Sequence, residues 1–520
     1  MKTRYTRWTC LLTALCLLMG LVLGCSGSAA QSATEPEQTA ESATTALSTE
    51  AVQSTATDEQ TKDGTPVGNP PEGTPPEGMG QPPAGERPEG TPPGGMGQPP
   101  AGGPGGGPGG PGGSSAYIDY SGAVEITSAG SESDQTYATD TVDQSALLIA
   151  TSEAVTIANP TVTKSGSSNG GDSCNFYGLN ASILVKDGAN VTITGGTISS
   201  DASGANGIFC YGGNGGRNGA AGDGTTVTVR DTVITTTGSG SGGIMTTGGG
   251  VTYAYDLTVT TSGQSSAPIR TDRGGGTVYV DGGTYTSHGL GSPTIYSTAE
   301  IHVANASLTS NLSEGVCIEG KNSIELTDCD LTANNTKCNS NASFFDTIMI
   351  YQSMSGDADS GTSSFTMTGG TLTSKNGHVF HVTNTNAIIN LNGVTVVNED
   401  GEGVLLSVCD DGWSGAGNVA TLNAKGQTLE GLLLVGSNAT LTLNLTDGSA
   451  FIGTVSGAIT NAKGATVSTE VGTVNVTLDG TSTWTLTGDT YVTSFTGNAS
   501  RVIANGYTLY VNGIALTGTK

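Results

Sequence analysis

The chain has 520 residues, with 18 Lys plus Arg against 45 Asp plus Glu and a formal charge of −27. Charge of that sign excludes a nucleic-acid partner, whose binding rests on Lys and Arg neutralising phosphates, and it suits solubility outside the cell. It also argues against a basic groove for acidic polysaccharides averaged over the chain. Of the nine cysteines, Cys10, Cys16 and Cys25 fall in the first residues. Cys174, Cys210, Cys317, Cys329, Cys338 and Cys409 remain, with no CxxC pair and no Cys/His spacing suited to zinc.

Lys2, Arg4 and Arg7 give the chain a positive start. An apolar run from Leu11 to Leu23 follows, interrupted by Thr13 and Gly20. A bilayer needs about 20 apolar residues, so this run reads as an export signal over residues 1–24 rather than a membrane span. It ends in Leu21, Val22, Leu23, Gly24 and Cys25, which resembles the bacterial lipobox. That resemblance implies a lipidated Cys25, carrying acyl chains such as palmitate, as the mature N-terminus of a bacterial membrane lipoprotein. Cleavage after Ser28, Ala29 and Ala30 is the alternative. Residues 25–115 hold almost no large apolar side chains, and a Pro/Gly unit near Thr74 is echoed near Thr91. Such a stretch cannot bury enough surface to offset its ordering entropy, so it reads as a disordered tether. Kept extended by proline, its roughly 90 residues would reach up to about 280 Å.

From Tyr117 onward short runs alternate apolar and polar residues, the mark of β-strands. Similar units begin at Val191, Val227, Val251, Val278, Ile301, Ile324, Phe365 and Ile388. Their spacing is about 23 to 27 residues, with two longer intervals of about 36 and 41. Each unit holds a strand, a Gly, Asn or Asp turn and a second strand. A third short strand stands between units, at Ile208, Ile244, Ile269, Val316 and Val379. Three strands per turn predict an all-β chain, and the repeats resemble the right-handed parallel β-helix over residues 116–415. Residues 416–520 read as further turns with a cap near 507–513. Roughly fourteen coils would make a rod on the order of 70 Å long. Cys174 and Cys210 precede their units by the same interval, so they are expected to stack on adjacent coils, as a disulfide or as buried thiols.

The fold hosts lyases, hydrolases and adhesins alike, so activity has to be sought in a site. Arg270, Asp272 and Arg273 stand out in a chain poor in positive charge. Arg270 and Asp272 share one strand face, and Arg273 starts a turn. The trio suits either bidentate grip on a carboxylate or sugar, or a structural pair pinning a Gly-rich corner. His288, one coil on, is a further neighbour. Asp410 and Asp411 superficially resemble the paired Asp of polygalacturonases. That family's Asn-Thr-Asp, Gly-His-Gly and Arg-Ile-Lys motifs are missing, so the segment reads as a turn with Trp413 as a glycan platform. Asp357 and Asp359 alternate as calcium ligands do, without the distal Glu of such loops. His378 and His381 are expected on opposite strand faces, giving no metal site. No Ser/His/Asp constellation is visible.

The resemblance to adhesin-like bacterial surface proteins implies a non-catalytic β-helix that binds glycan or another surface macromolecule through its side, with no cofactor. A polysaccharide lyase or hydrolase and a structural envelope spacer are the alternatives.

Overall fold

Alternation decides which residues go inside. In Thr226–Arg230 the apolar Val227 and Val229 are fully buried, while Thr226 and Thr228 are half-buried and Arg230 is exposed. The same period recurs along the chain and builds one continuous inner column of Val, Ile and Leu. The computed structural model describes residues 118–215 and 221–520. The export signal, Cys25 and the whole of the tether lie outside them.

Strands are assembled into three long parallel sheets. Sheet A has 15 strands, sheet B 14 and sheet C 10. Each coil contributes one strand to each sheet in turn, which makes a right-handed parallel β-helix. Its inner residues stack in register: Val191 on Val227, then Thr252, Val278, Ile301, Ile324, Phe365 and Ile389. Two of the expected unit starts are one residue off. Val251 and Ile388 are half-buried, and Thr252 and Ile389 take the inner positions. Thr252 is tolerated there because its hydroxyl meets that of Thr246 at 2.6 Å. The shift turns Tyr253 and Tyr255 outward.

The corner from sheet B to sheet C needs a left-handed residue in every coil. Asn159, Asp231, Asp256, Asn305 and Asp328 supply it with φ between 49° and 55°, and Gly195 at 67°. The corner from sheet C to sheet A is held by a serine ladder. The Ser241 amide donates to Ser266 Oγ (2.9 Å), the Ser266 amide to Ser292 Oγ (2.9 Å), and the Ser292 amide to Ser313 Oγ (3.1 Å). Those hydroxyls donate onward to the carbonyls of Gly238, Gly263 and Gly289.

Sheet C ends at Thr395–Asn398, and the later coils use sheets A and B. At the C-terminal end Leu509–Val511 pairs antiparallel with Ile514–Ala515 around Asn512 and Gly513. Reversing the strand direction there ends the stack of parallel coils.

The outer face of sheet A is covered at two places. The segment between sheets C and A around the helix Asp172–Tyr177 lies over Leu148, Leu184, Phe209 and Met245, and Ala181 joins that cluster. Farther along, Phe344 packs with Val404, Cys409, Leu434 and Ile459. Sheet A strands beneath these covers are therefore buried on both faces, as in Ile244–Thr247.

Cys174 and Cys210 do not stack as expected. Cys174 sits in the inserted helix, whereas Cys210 lies in sheet A between Val185 and Thr246. The helix takes the residues that equal spacing assigned to a strand. All six described cysteines are free thiols.

Candidate functional site

Between the two covered regions the outer face of sheet A is open. Its outward row runs from Met245 under the first cover through Arg270, Tyr296, Cys317 and Met349 to His381 under the second. One residue pair further along, Glu319 stands beside Tyr351. Insertions between strands raise walls around this floor, and they include Asp357 and Trp413. The result is a cleft of about 530 Å³ lined by Tyr296, Glu314, Glu319, Tyr351, Asp357 and Trp413. A recess of about 200 Å³ shares Tyr296 and Tyr351 and reaches Arg270.

Glu319 organises the floor. It accepts hydrogen bonds from Tyr296 (2.5 Å), Tyr351 (3.1 Å) and Ser353, and it is buried. Burial, and then the nearby Glu319 charge, push both phenols well above their ordinary range, so they remain donors. Trp413 is half-buried, its ring centroid 4.8 Å from that of Tyr351 and tilted 53°.

The arginine pair is already neutralised. Arg270 donates to Asp272 Oδ2 at 2.7 Å and to the Ser265 carbonyl at 3.2 Å. Asp272 is 4% exposed and also accepts the Arg273 amide at 3.0 Å. Burial raises its carboxyl to about 6 against the opposing pull of Arg270. Arg273 donates to Asp357 at 2.5 Å, with its guanidinium 4.2 Å from the Phe176 ring centre. Of the two residues weighed as calcium ligands, Asp357 thus faces Arg273, and Asp359 faces Lys321 at 3.0 Å. His288 stays at the corner after sheet C, 3.3 Å from Asn311. Among the described residues no group of three His, Cys, Asp or Glu side chains converges as metal ligands.

Two expectations about the histidines and Asp411 change. His378 and His381 do not diverge: both Nδ1 atoms lie 2.7 Å from Ser407 Oγ. Neighbouring Val379 and Phe380 both enter the inner core, so the strand kinks and brings the histidines to one side. His381 Nε2 lies 3.4 Å from Asp411, which also accepts from the Ser343 hydroxyl (2.5 Å) and amide (3.2 Å). A Ser407, His381 and Asp411 line therefore exists. The Asp411 side chain is 1% exposed and His381 wholly buried, under the Phe344 ring. The single Ser407 hydroxyl proton can serve one of the two Nδ1 atoms, and the Ser407 oxygen accepts from the other. This is a structural network without access to substrate.

Tyr296, Glu319 and Tyr351 escaped the sequence reading. Their signal was available: they occupy outward positions of the third short strand, next to the interval lengthened to about 41 residues.

No protein-family model matches the chain, and neither the curated proteins nor the solved structures yield a match. Fold and site together define the class: a parallel β-helix with a lateral, aromatic-lined cleft.

Proposed function

We propose that the protein is an adhesin-like surface lipoprotein, held to the membrane through Cys25, whose β-helix binds glycan in the cleft above sheet A. The observation that carries this reading is the floor of Tyr296, Glu319 and Tyr351 with Trp413 above it. Aromatic faces take the apolar side of a sugar, and fixed hydroxyls and carboxylates take its hydroxyl groups. The cleft favours neutral over acidic glycan, because Arg270 and Arg273 are each bonded to an aspartate. A glycan array probed with the mature protein and with Trp413→Ala tests it. Retention of neutral glycans that Trp413→Ala weakens tenfold or more supports the reading, and silence on the array favours a structural spacer. Mass spectrometry of the mature N-terminus tests the anchor: an unmodified chain beginning beyond Cys25 removes it.

A polysaccharide hydrolase is the second reading, and Glu314 favours it. That carboxyl lines the cleft, and burial raises it, as a general acid requires. Reducing ends released by the protein but not by Glu314→Gln would establish that chemistry. A lyase has less support, since Asp272 is buried beneath Arg270 and does not line the cleft. Unsaturated uronate products absorbing in the ultraviolet would restore it.

A further inference from the structure

We propose a second sugar site on the outer face of sheet B, where a neutral pyranose stacks on the free face of Tyr255. It belongs to a different sheet from the cleft and stands independently of it.

Two outward rows frame the site. One runs Arg230, Tyr255, Asp281, Ala304 and Thr327; the other runs Thr228, Tyr253, Tyr279, His302 and Glu325. The Arg230 guanidinium lies 3.6 Å from the Tyr255 ring centre and covers one face. The opposite face looks along the helix axis toward Asp281 and Ala304, whose short side chains cannot fill the space. A gap of about 350 Å³ results, bordered by Tyr255, Tyr279, Asp281, His302, Ala304 and Glu325. Coils are about 4.8 Å apart, so two coils of small residues leave room for a sugar ring beside the phenol.

The second row forms a rigid side wall. Tyr253 and Tyr279 stack at 5.1 Å and 9°, and Tyr279 and His302 at 5.0 Å and 11°. His302 is fixed by Glu300 at 2.9 Å and Glu325 at 3.0 Å. Tyr279 has both faces occupied by its neighbours in this stack, whereas Tyr255 has a ring face turned into the gap. Asp281 accepts from Asn305 at 2.7 Å and, as a carboxylate, keeps lone pairs for sugar hydroxyls. Asp281 and Glu325 border the gap with negative charge, and Glu300 stands behind His302, so uronates and other anionic sugars are rejected. Packing alone does not account for the aromatic residues. Elsewhere the same outward row holds Thr228, Thr366, Asn390 and Asn423. The rings occur only beside the gap, with Tyr279 40% exposed.

Saturation-transfer NMR of the mature protein with neutral methyl pyranosides of the glucose, galactose and mannose series tests the site. Measured on the Trp413→Ala protein, whose cleft is disabled, transfer to at least one is expected, with affinity falling tenfold or more when Tyr255→Ala is added. Ala304→Trp, added there instead, fills the gap while leaving Tyr255 in place, and it should abolish the signal even if Tyr255→Ala fails to fold. Absence of transfer from every neutral probe, full binding with Ala304→Trp added, or transfer from methyl galacturonoside alone overturns the proposal. Loss in Trp413→Ala with retention in Ala304→Trp would support the cleft and overturn this site, so the two fail separately.

Discussion

The indole of Trp413 leans over the phenol of Tyr351, ring centres 4.8 Å apart, although one lies in a loop after a sheet A strand and the other in the strand two coils earlier. This contact joins the loop wall to the cleft floor. Trp413→Ala should therefore lower glycan affinity tenfold or more. Stability should fall by only about 0.5–1.5 kcal/mol, the worth of an aromatic pair. Thermal unfolding beside array binding separates the two effects.

Arg270 and Asp272 form a buried pair, and removing one partner strands the other. Arg270→Ala should cost about 3–5 kcal/mol. Arg270→Ala with Asp272→Asn should recover much of it, as read by urea unfolding. The pH dependence has a definite sign. The Asp272 carboxyl is raised to about 6 in the folded chain, so the folded state holds its proton more tightly than the unfolded state. Its contribution to stability is full below about pH 4 and is lost as pH rises through 6. Asp272→Asn should remove that slope from the stability profile.

Ser407 is the shared partner of two buried imidazoles. Ser407→Ala leaves both Nδ1 atoms unpaired and should cost about 2 kcal/mol or more. Burial, and then the neighbouring His381, lower His378 to about 3, so it folds neutral. The unfolded chain takes up this proton first as pH falls. Its stabilising contribution is complete above about 6.5 and is lost toward pH 3. Acid titration of unfolding in His378→Gln should show a shallower loss over that range than the parent chain.

The serine ladder predicts a graded pair of substitutions. Ser266→Ala removes the acceptor of the Ser241 amide and should cost about 1–2 kcal/mol. Gly263→Ala should be worse, because its Cβ would lie 1.8 Å from the Gly238 carbonyl oxygen. Chemical denaturation should rank the two in that order.

The coils were legible because burial imposes a period of two within strands and stacking imposes a repeat between them. Val191, Val227 and Val278 all sit where alternation puts them. The reading slipped at Val251, where tyrosines on the outer face imitated an inner face, and at Cys174, where a helix replaced a strand. Arg270 with Asp272 was visible as a same-face pair. The cleft was not, because its floor comes from outward residues of separate coils and its walls from insertions without period. Tyr296 and Tyr351 are brought side by side over Glu319 only once the coils stack. The serine ladder was hidden similarly, its members being small polar residues in turns.

Glycan binding in the cleft is read out by retention of the mature protein on a glycan array, set beside Trp413→Ala and product analysis of the bound glycans. With the sheet B gap filled by Ala304→Trp in both proteins, neutral glycans should be retained, released by the added Trp413→Ala, and recovered intact. Binding indifferent to Trp413, or cleaved glycan in the eluate, would contradict cleft binding without cleavage.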